Sequence, residues 1–177
     1  VIGASAYTGG FQPLPGVKKD VAEVRKALEA NGFHVVVVMD TTREQMQKAF
    51  DDFIQEYGQD SDDRVLIYYA GHGHTLTFKD GREMGYIVPV DAPNPNRNER
   101  GFFGKAMDMQ QIETYAKRVQ SKHALFLFDS CFSGSLFDVS RAIPENISHK
   151  TSKPIRQFIT AGSADETVPD QSVFREQ

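Results

Sequence analysis

The chain has 177 residues, of which 40% are apolar, and a formal net charge of −4 at pH 7. This length suits one globular domain that buries about two-thirds of the surface that its unfolded chain exposes. The negative charge argues against a broad nucleic-acid-binding surface, and no apolar run approaches the roughly 20 residues that cross a bilayer. We therefore predict a soluble single domain over residues 1–177.

The cysteine count and the chain ends bear on where the protein works. One cysteine, Cys131, cannot form an internal disulfide, and this favours a reducing, cytoplasmic compartment. The chain opens on "VIGASAY" without a methionine and stops at "SVFREQ" without a turn signal. We therefore expect it to be a fragment of a longer protein, in which a targeting segment could lie outside these 177 residues.

The first half of the chain alternates apolar runs of strand length with amphipathic helical segments. "VIGA" is the end of a first strand, and the helical segment after it stops at Gly32. "FHVVVVM" reads as a second strand that is buried on both faces. Thr42 and Gln45 have the spacing of a capping box for the next helix, and "RVLIYYA" is the third strand. This alternation predicts a parallel sheet with helices on its faces.

The second half continues the alternation after one hairpin. Asp80 and Gly81 suit a tight turn between two short strands. A helix is predicted from Met107 to Val119, "HALFLFD" is the fourth strand and "RQFITAG" is the fifth. Residues 138–154 are polar, broken by proline and without period, so we expect an exposed loop there. The predicted fold is α/β, with a mostly parallel central sheet flanked by helices.

Candidate chemistry collects after three of these strands. The segments "AGHGH", "DSCFSG" and "AGSADETVPD" follow the third, fourth and fifth strands. Ligands of open α/β sheets bind beyond the carboxyl ends of the strands, so these loops should converge. We expect His72 and Cys131 to face each other across adjacent strands.

A thiol beside an imidazole is the pattern of a cysteine hydrolase. The imidazole of His72 can take the proton of the Cys131 thiol and leave a strong nucleophile. Glycines on both sides of His72 allow the backbone to approach a peptide closely. We assign the backbone N–H groups of Gly73 and Cys131 to an oxyanion hole.

Other interpretations stay open at this point. A single cysteine after an apolar strand is often a buried core residue, and a histidine in a glycine loop is often structural. The chain has no cysteine and histidine spacing of the zinc-binding type. A small-molecule-binding domain with an incidental thiol should carry a phosphate-binding glycine loop, which "ASAYTGGFQPLPG" does not provide.

The motifs together resemble a known family. "YYAGHGH" and "LFLFDSCFSG", with "LPGVKKDVAEVRKAL" upstream and "GYIVPVDA" between them, resemble the catalytic domain of the caspase-like cysteine peptidases, and most of all the metacaspases. The resemblance implies a caspase-haemoglobinase fold, a three-layer sandwich, and endopeptidase activity with a dyad of His72 and Cys131. It implies no cofactor for the chemistry of that dyad. Metacaspases often have serine and histidine where this chain has Ala70 and Phe132.

The resemblance also bears on the substrate. Caspases place a glutamine two residues before the nucleophile to bind an acidic side chain, and this chain has Asp129 there. A carboxylate should repel acidic substrates and attract arginine or lysine, so the expected partners are proteins or peptides with Arg or Lys before the scissile bond. Asp20 matches a second acidic position of the metacaspase pocket, although it could instead serve the start of a helix. Ser163 is assigned to the same pocket.

Two further expectations follow from the resemblance. Many calcium-activated metacaspases have a dense acidic cluster, whereas this chain offers the sparse "KDGRE" and Asp138, so activation by calcium is not expected. A caspase-like domain can also lose its activity and serve as a regulatory or scaffolding module. That alternative is the second candidate function, although both dyad residues are present.

Overall fold

The computed structural model describes residues 1–130 and 154–161, which form eight strands and four helices. The first half contains, in chain order, β1 (Ile2–Gly3), α1 (Gly16–Ala30), β2 (Val38–Met39), α2 (Arg43–Tyr57), β3 (Arg64–Ala70), β4 (Gly73–Thr77) and β5 (Glu83–Ile87). The second half contains α3 (Pro95–Lys105), β6 (Met107–Asp108), α4 (Met109–Arg118), β7 (His123–Asp129) and β8 (Ile155–Thr160). None of the helices in these ranges is long and apolar enough to span a bilayer.

Five strands form a parallel sheet in the order β2-β1-β3-β7-β8, and β4, β5 and β6 form a smaller antiparallel sheet. The strands β3 and β7 pair along their whole length, from Arg64 opposite His123 to Ala70 opposite Asp129. These are the third and fourth strands of the sequence analysis, so their predicted adjacency is confirmed. The α/β fold with a mostly parallel central sheet is confirmed as well.

Side chains that alternate along β3 bury the two faces of the sheet against different helices. On one face, Tyr68 and Ala70 pack with Val17 and Val21 of α1. The opposite face packs against α2 and α4 through a larger cluster that includes Met46, Phe50, Ile54, Val65, Ile67, Tyr69, Ile112, Tyr115, Phe126 and Phe128. The helices and the sheet therefore form three layers.

Two local signals produce the structure that the sequence predicts. The Thr42 side chain accepts a hydrogen bond from the backbone N–H of Gln45, and the Gln45 side chain accepts one from the backbone N–H of Thr42. This capping box starts α2 at the expected position. The hairpin between β4 and β5 turns at Asp80 and Gly81, where Gly81 has a φ of +83° that suits glycine.

Three elements differ from the prediction. The second strand is only Val38–Met39 and is half-buried rather than buried on both faces; among the described strands it pairs with β1 alone and so lies at the edge of the sheet. The helix α3 was not predicted, although Asn94 caps it and Pro95 occupies its first turn. The predicted helix from Met107 starts two residues later, because Met107 and Asp108 pair with β5. The predicted loop 138–154 lies outside the described residues, except for Pro154.

Candidate active site

The turn after β3 holds His72 in an aromatic setting. The strand ends at Ala70, and Gly71 and His72 lead directly into β4. The centroid of the His72 ring lies 4.7 Å from that of Tyr7 and 5.2 Å from that of Phe11. Both aromatic residues belong to the loop between β1 and α1, so that loop forms one wall of the site.

The backbone of His72 is fixed by two phenol groups. Its N–H donates to the Tyr7 hydroxyl at 2.7 Å, and its carbonyl accepts from the Tyr69 hydroxyl at 2.9 Å. The backbone N–H of Val88 also donates to that carbonyl, at 3.1 Å. A Cβ at Gly71 would lie 2.6 Å from the Tyr69 hydroxyl and 2.7 Å from the Tyr7 hydroxyl. Only glycine therefore leaves room for both phenols beside the histidine.

The imidazole of His72 has a defined partner on one nitrogen. Its Nε2 lies 2.8 Å from the backbone carbonyl oxygen of Gln12. A carbonyl can only accept a hydrogen bond, so Nε2 carries the proton in this contact. A neutral imidazole then presents Nδ1 as its acceptor, which is the nitrogen able to take a proton from another group.

Asp129, the last residue of β7, lies on the α1 face of the sheet. It pairs in register with Ala70, and its Oδ2 accepts a hydrogen bond from the Tyr68 hydroxyl at 2.9 Å. Tyr68 is only 7% exposed. Burial, and next the negative charge of Asp129, raise the pKa of this phenol, so it remains a hydrogen-bond donor at neutral pH.

Asp20 is a buried carboxylate on the same face. It is 8% exposed and lies on α1 next to Val21, which packs against Tyr68 and Ala70. The interpretation of Asp20 as a helix-starting residue is wrong, because α1 begins at Gly16 and has no acidic residue in its first turn. Burying a carboxylate costs free energy, so the buried position of Asp20 inside the helix indicates a role other than starting it.

The structure brings the His72 turn and the end of β7 together at one edge of the sheet. The backbone N–H of Gly71 donates to the carbonyl of Asp129 at 3.3 Å. Gly73 opens β4 in the same turn. Cys131, the other predicted member of the dyad and of the oxyanion hole, lies outside the described residues, as does Ser163.

The loop from Ala4 to Pro15 was not assigned to the site by sequence, although it provides Tyr7, Phe11 and Gln12. The signal was available, because this loop also follows the carboxyl end of a strand, and β1 is the other neighbour of β3. Two aromatic residues in the glycine-containing stretch "AYTGGFQ" are what one would look for.

Asp40 fixes the start of that loop. Its Oδ1 accepts hydrogen bonds from the backbone N–H of Ser5 at 2.6 Å and of Ala6 at 2.9 Å, and the Ser5 hydroxyl donates to it at 3.0 Å. Desolvation raises the pKa of Asp40, but these hydrogen bonds outweigh it and hold the pKa below its ordinary value. Asp40 adopts a φ of +53°, a conformation that aspartate tolerates better than most residues.

Among residues 1–130 and 154–161, no three histidine, cysteine, aspartate or glutamate side chains come close enough together to hold a metal ion.

With this geometry in place, comparison with known proteins identifies the family. The model of the family described as "Caspase domain" matches residues 1–176. The chain belongs to the caspase domain family. This is a family of cysteine peptidases, which agrees with the family resemblance of the motifs around His72 and Cys131.

Two curated relatives of this caspase domain come from mammals. The chain is 32% identical over 119 residues to the human "Mucosa-associated lymphoid tissue lymphoma translocation protein 1", and it is 32% identical over 119 residues to the mouse homolog of that protein. Each match covers 67% of this chain but 13% of the relative. The caspase domain thus corresponds to a small part of these longer proteins.

Proposed function

We propose that this caspase domain is a cysteine endopeptidase of metacaspase-like specificity, which hydrolyses peptide bonds after arginine or lysine with a dyad of His72 and Cys131. The observation that carries the proposal is the in-register pairing of β3 with β7, in which the Gly71 N–H meets the Asp129 carbonyl. Cys131 comes two residues after Asp129, so this pairing favours a short distance between the thiol and the imidazole.

The proposed reaction uses Nδ1 of His72, the ring nitrogen other than the one that contacts Gln12. Nδ1 takes the proton of the Cys131 thiol, and the thiolate attacks the carbonyl carbon before the scissile bond to give a tetrahedral oxyanion. The imidazolium then protonates the departing amine as the C–N bond breaks, which leaves a thioester. A water molecule that gives its proton to Nδ1 hydrolyses the thioester and regenerates the thiol. Throughout, the Gln12 carbonyl accepts a hydrogen bond from the Nε2–H group and stabilises the imidazolium.

The register of β4 supports a role for Gly73 in binding the oxyanion. His72 and Val88 form a hydrogen-bonded position of the antiparallel ladder, so Gly73, which is opposite Ile87, occupies the next, non-bonded position. At such a position the N–H points away from the partner strand. In the described part of this sheet β4 is an edge strand, so the Gly73 N–H is directed outward from it. An N–H in this turn can meet an oxyanion beside His72.

The specificity rests on acidic groups at the α1 face. Asp129 lies at the strand end that leads to Cys131, and Asp20 is buried in the helix that covers this face. Together with Ser163, they would form a pocket that pairs with a guanidinium or ammonium group. An acidic side chain would meet like charges there, so cleavage after aspartate is disfavoured.

The test is a set of fluorogenic peptides that differ only in the residue before the scissile bond, offered to the wild type and to Cys131→Ala. We expect turnover after arginine and lysine, turnover at least roughly a hundredfold slower after aspartate, and none above background with Cys131→Ala. Equal activity of Cys131→Ala would overturn the dyad. A preference of the wild type for aspartate would overturn the specificity. No turnover with any peptide would favour the scaffolding function.

A further inference from the structure

The two tyrosines of "YYAGHG" lie on opposite faces of β3. Tyr68 packs with Val17 and Val21 under α1, whereas Tyr69 belongs to the core that α2 and α4 cover. Neighbouring strand residues point to opposite faces, so this separation follows directly from the strand conformation. Each hydroxyl reaches a different group of the candidate active site.

The Tyr69 hydroxyl lies behind His72 in the core. Tyr69 is fully buried, and its oxygen lies 2.9 Å from the His72 carbonyl and 3.1 Å from the Val88 carbonyl. It also accepts a hydrogen bond from the Val88 N–H at 3.2 Å. With the Tyr7 hydroxyl on the His72 N–H, both polar backbone groups of the histidine are held by phenols. The turn that carries the imidazole is thereby fixed.

The Tyr68 hydroxyl serves the other face. Its only described hydrogen-bond partner is the Asp129 carboxylate, at 2.9 Å, and the phenol is 7% exposed. A hydrogen bond from a buried donor restricts the carboxylate to one orientation before the substrate binds. Binding of a substrate cation then costs less side-chain conformational entropy of Asp129. The bond thus acts on the group that the proposed function assigns to substrate recognition.

Packing alone does not account for the hydroxyl groups. Phenylalanine would fill nearly the same space as tyrosine, and burying a hydroxyl costs free energy unless it is hydrogen-bonded. The chain uses phenylalanine for other core positions, such as Phe126 and Phe128 of β7. The two hydroxyls therefore call for an explanation at the level of the groups that they contact.

We infer that Tyr68 and Tyr69 are positioning residues that divide their work: Tyr69 orients His72 for the chemical step, and Tyr68 orients Asp129 for binding of the substrate's arginine or lysine. The inference rests on the proposed function. It gives one short strand end separate control of catalysis and of specificity, because within residues 1–130 and 154–161 the two hydroxyls have different hydrogen-bond partners.

The test compares Tyr68→Phe with Tyr69→Phe using two alkylating probes of Cys131. Iodoacetamide reports the reactivity of the thiol, whereas a peptidyl-arginine chloromethyl ketone also needs the pocket. In both cases the thiolate displaces a halide ion and forms a thioether. Tyr115→Phe is the control, because it removes the hydroxyl group of a buried tyrosine that lies on α4 and stacks on Phe50.

We expect Tyr69→Phe to lower the iodoacetamide rate at least about fivefold, and Tyr68→Phe and Tyr115→Phe to leave it within about twofold. Tyr68→Phe should lower the chloromethyl ketone rate at least about fivefold. In peptide hydrolysis, Tyr69→Phe should mainly lower kcat, whereas Tyr68→Phe should mainly raise KM for arginine peptides. A merely structural role would give similar losses in both variants.

The outcomes distinguish a failure of the division of work between Tyr68 and Tyr69 from a failure of the proposed peptidase function. If Tyr68→Phe and Tyr69→Phe change the two probe rates in the same proportion, or if neither differs from Tyr115→Phe, the division of work is wrong. If the wild type reacts with both probes but hydrolyses no peptide, the proposed function fails, and the comparison of probe rates still decides the inference. If Cys131 of the wild type is inert to iodoacetamide, both fail, because the activated thiol is absent.

Discussion

At the scale of single residues, the charge of Asp129 is the feature on which specificity should depend. Asp129→Asn keeps an acceptor for the Tyr68 hydroxyl but removes the negative charge. A charge-assisted hydrogen bond typically contributes about 1.5–3 kcal/mol, so kcat/KM for arginine and lysine peptides should fall at least roughly tenfold. Cleavage after aspartate should not appear, because the pocket gains no positive charge. Unchanged rates in the peptide series would rule out Asp129 as the specificity group.

Asp20 gives a second residue-scale prediction. Asp20→Asn should lower the same rates if its carboxylate shares the pocket, and it should change the rate of iodoacetamide labelling little, because the helix α1 lies on the face away from Tyr69. The isosteric amide avoids a cavity at this buried site. A loss of labelling equal to the loss of peptide hydrolysis would instead show that Asp20 supports the fold around Cys131.

Some residues of the site can be predicted from the sequence, and others cannot. His72 stands out because glycines flank it at a strand end, and Asp129 stands out because it precedes the cysteine at a pocket position. Gln12 offers no such signal, because its backbone carbonyl makes the contact and any residue has one. The hydroxyl contacts of Tyr68 and Tyr69 depend on the strand pairing, which the residue types alone do not disclose.

At the scale of elements, the loop between β1 and α1 is fastened at several points. Asp40 accepts the N–H groups of Ser5 and Ala6, and the Thr8 N–H donates to the Val90 carbonyl at 2.9 Å. A Cβ on Gly9 would lie 2.0 Å from the Ala92 carbonyl oxygen, so this loop and the chain after β5 lie in close backbone contact. The wall beside His72 is therefore held by the elements on both sides of it.

The ionised Asp40 should make this fastening sensitive to acid. Its pKa lies below the ordinary 3.8, so folding favours the charged form; this stabilisation is fully present above about pH 4 and is lost as the pH falls through the lower native value. Asparagine tolerates a positive φ as aspartate does, so Asp40→Asn should not strain the backbone. Loss of the charge should lower the free energy of unfolding by about 1–2 kcal/mol at neutral pH.

Urea unfolding at a series of pH values measures this difference. The difference in the free energy of unfolding between wild type and Asp40→Asn should shrink as the pH falls below about 4. The reason is that Asp40 of the wild type loses its charge, whereas the asparagine side chain does not titrate. Lys48→Gln serves as the control, since the exposed pair with Asp52 contributes little. A gap that stays constant down to the acid limit would show that the charge of Asp40 does not support the loop.

Elements with strong local signals were predictable, and those that depend on distant partners were not. The capping box of Thr42 and the turn at Gly81 are encoded within a few residues, and both appear as expected. The edge position of β2 and the pairing of β6 with β5 depend on strand order, which a run of valines or a Met-Asp pair does not specify. Periodicity reports which faces are apolar and not which strand lies beside them.

At the scale of the whole molecule, we predict that peptidase activity does not require calcium. The described residues gather no group of three metal-ligating side chains, and the acidic stretch "KDGRE" pairs internally, with Arg82 on Asp80 at 2.7 Å. Calcium prefers six to eight oxygen ligands. Activity of the protein should therefore persist in excess chelator. A large, reversible increase in rate with millimolar calcium would contradict this, and Asp138→Asn would then show whether that residue contributes.

The order of strands in the central sheet has a consequence for when the proposed active site can assemble. β1 pairs with β2 and β3, and β3 pairs with β7. Ile2 therefore pairs only after Tyr69 has been synthesised, and Arg64 pairs only after His123 has been synthesised. Such distant pairings close slowly, because long loops must be ordered before any contact compensates for the lost entropy. On a ribosome, the two halves of the proposed dyad cannot approach until the chain has emerged past β7. The nascent protein should therefore show none of the proposed activity until β7 has left the ribosome, with no inhibitor needed before that point.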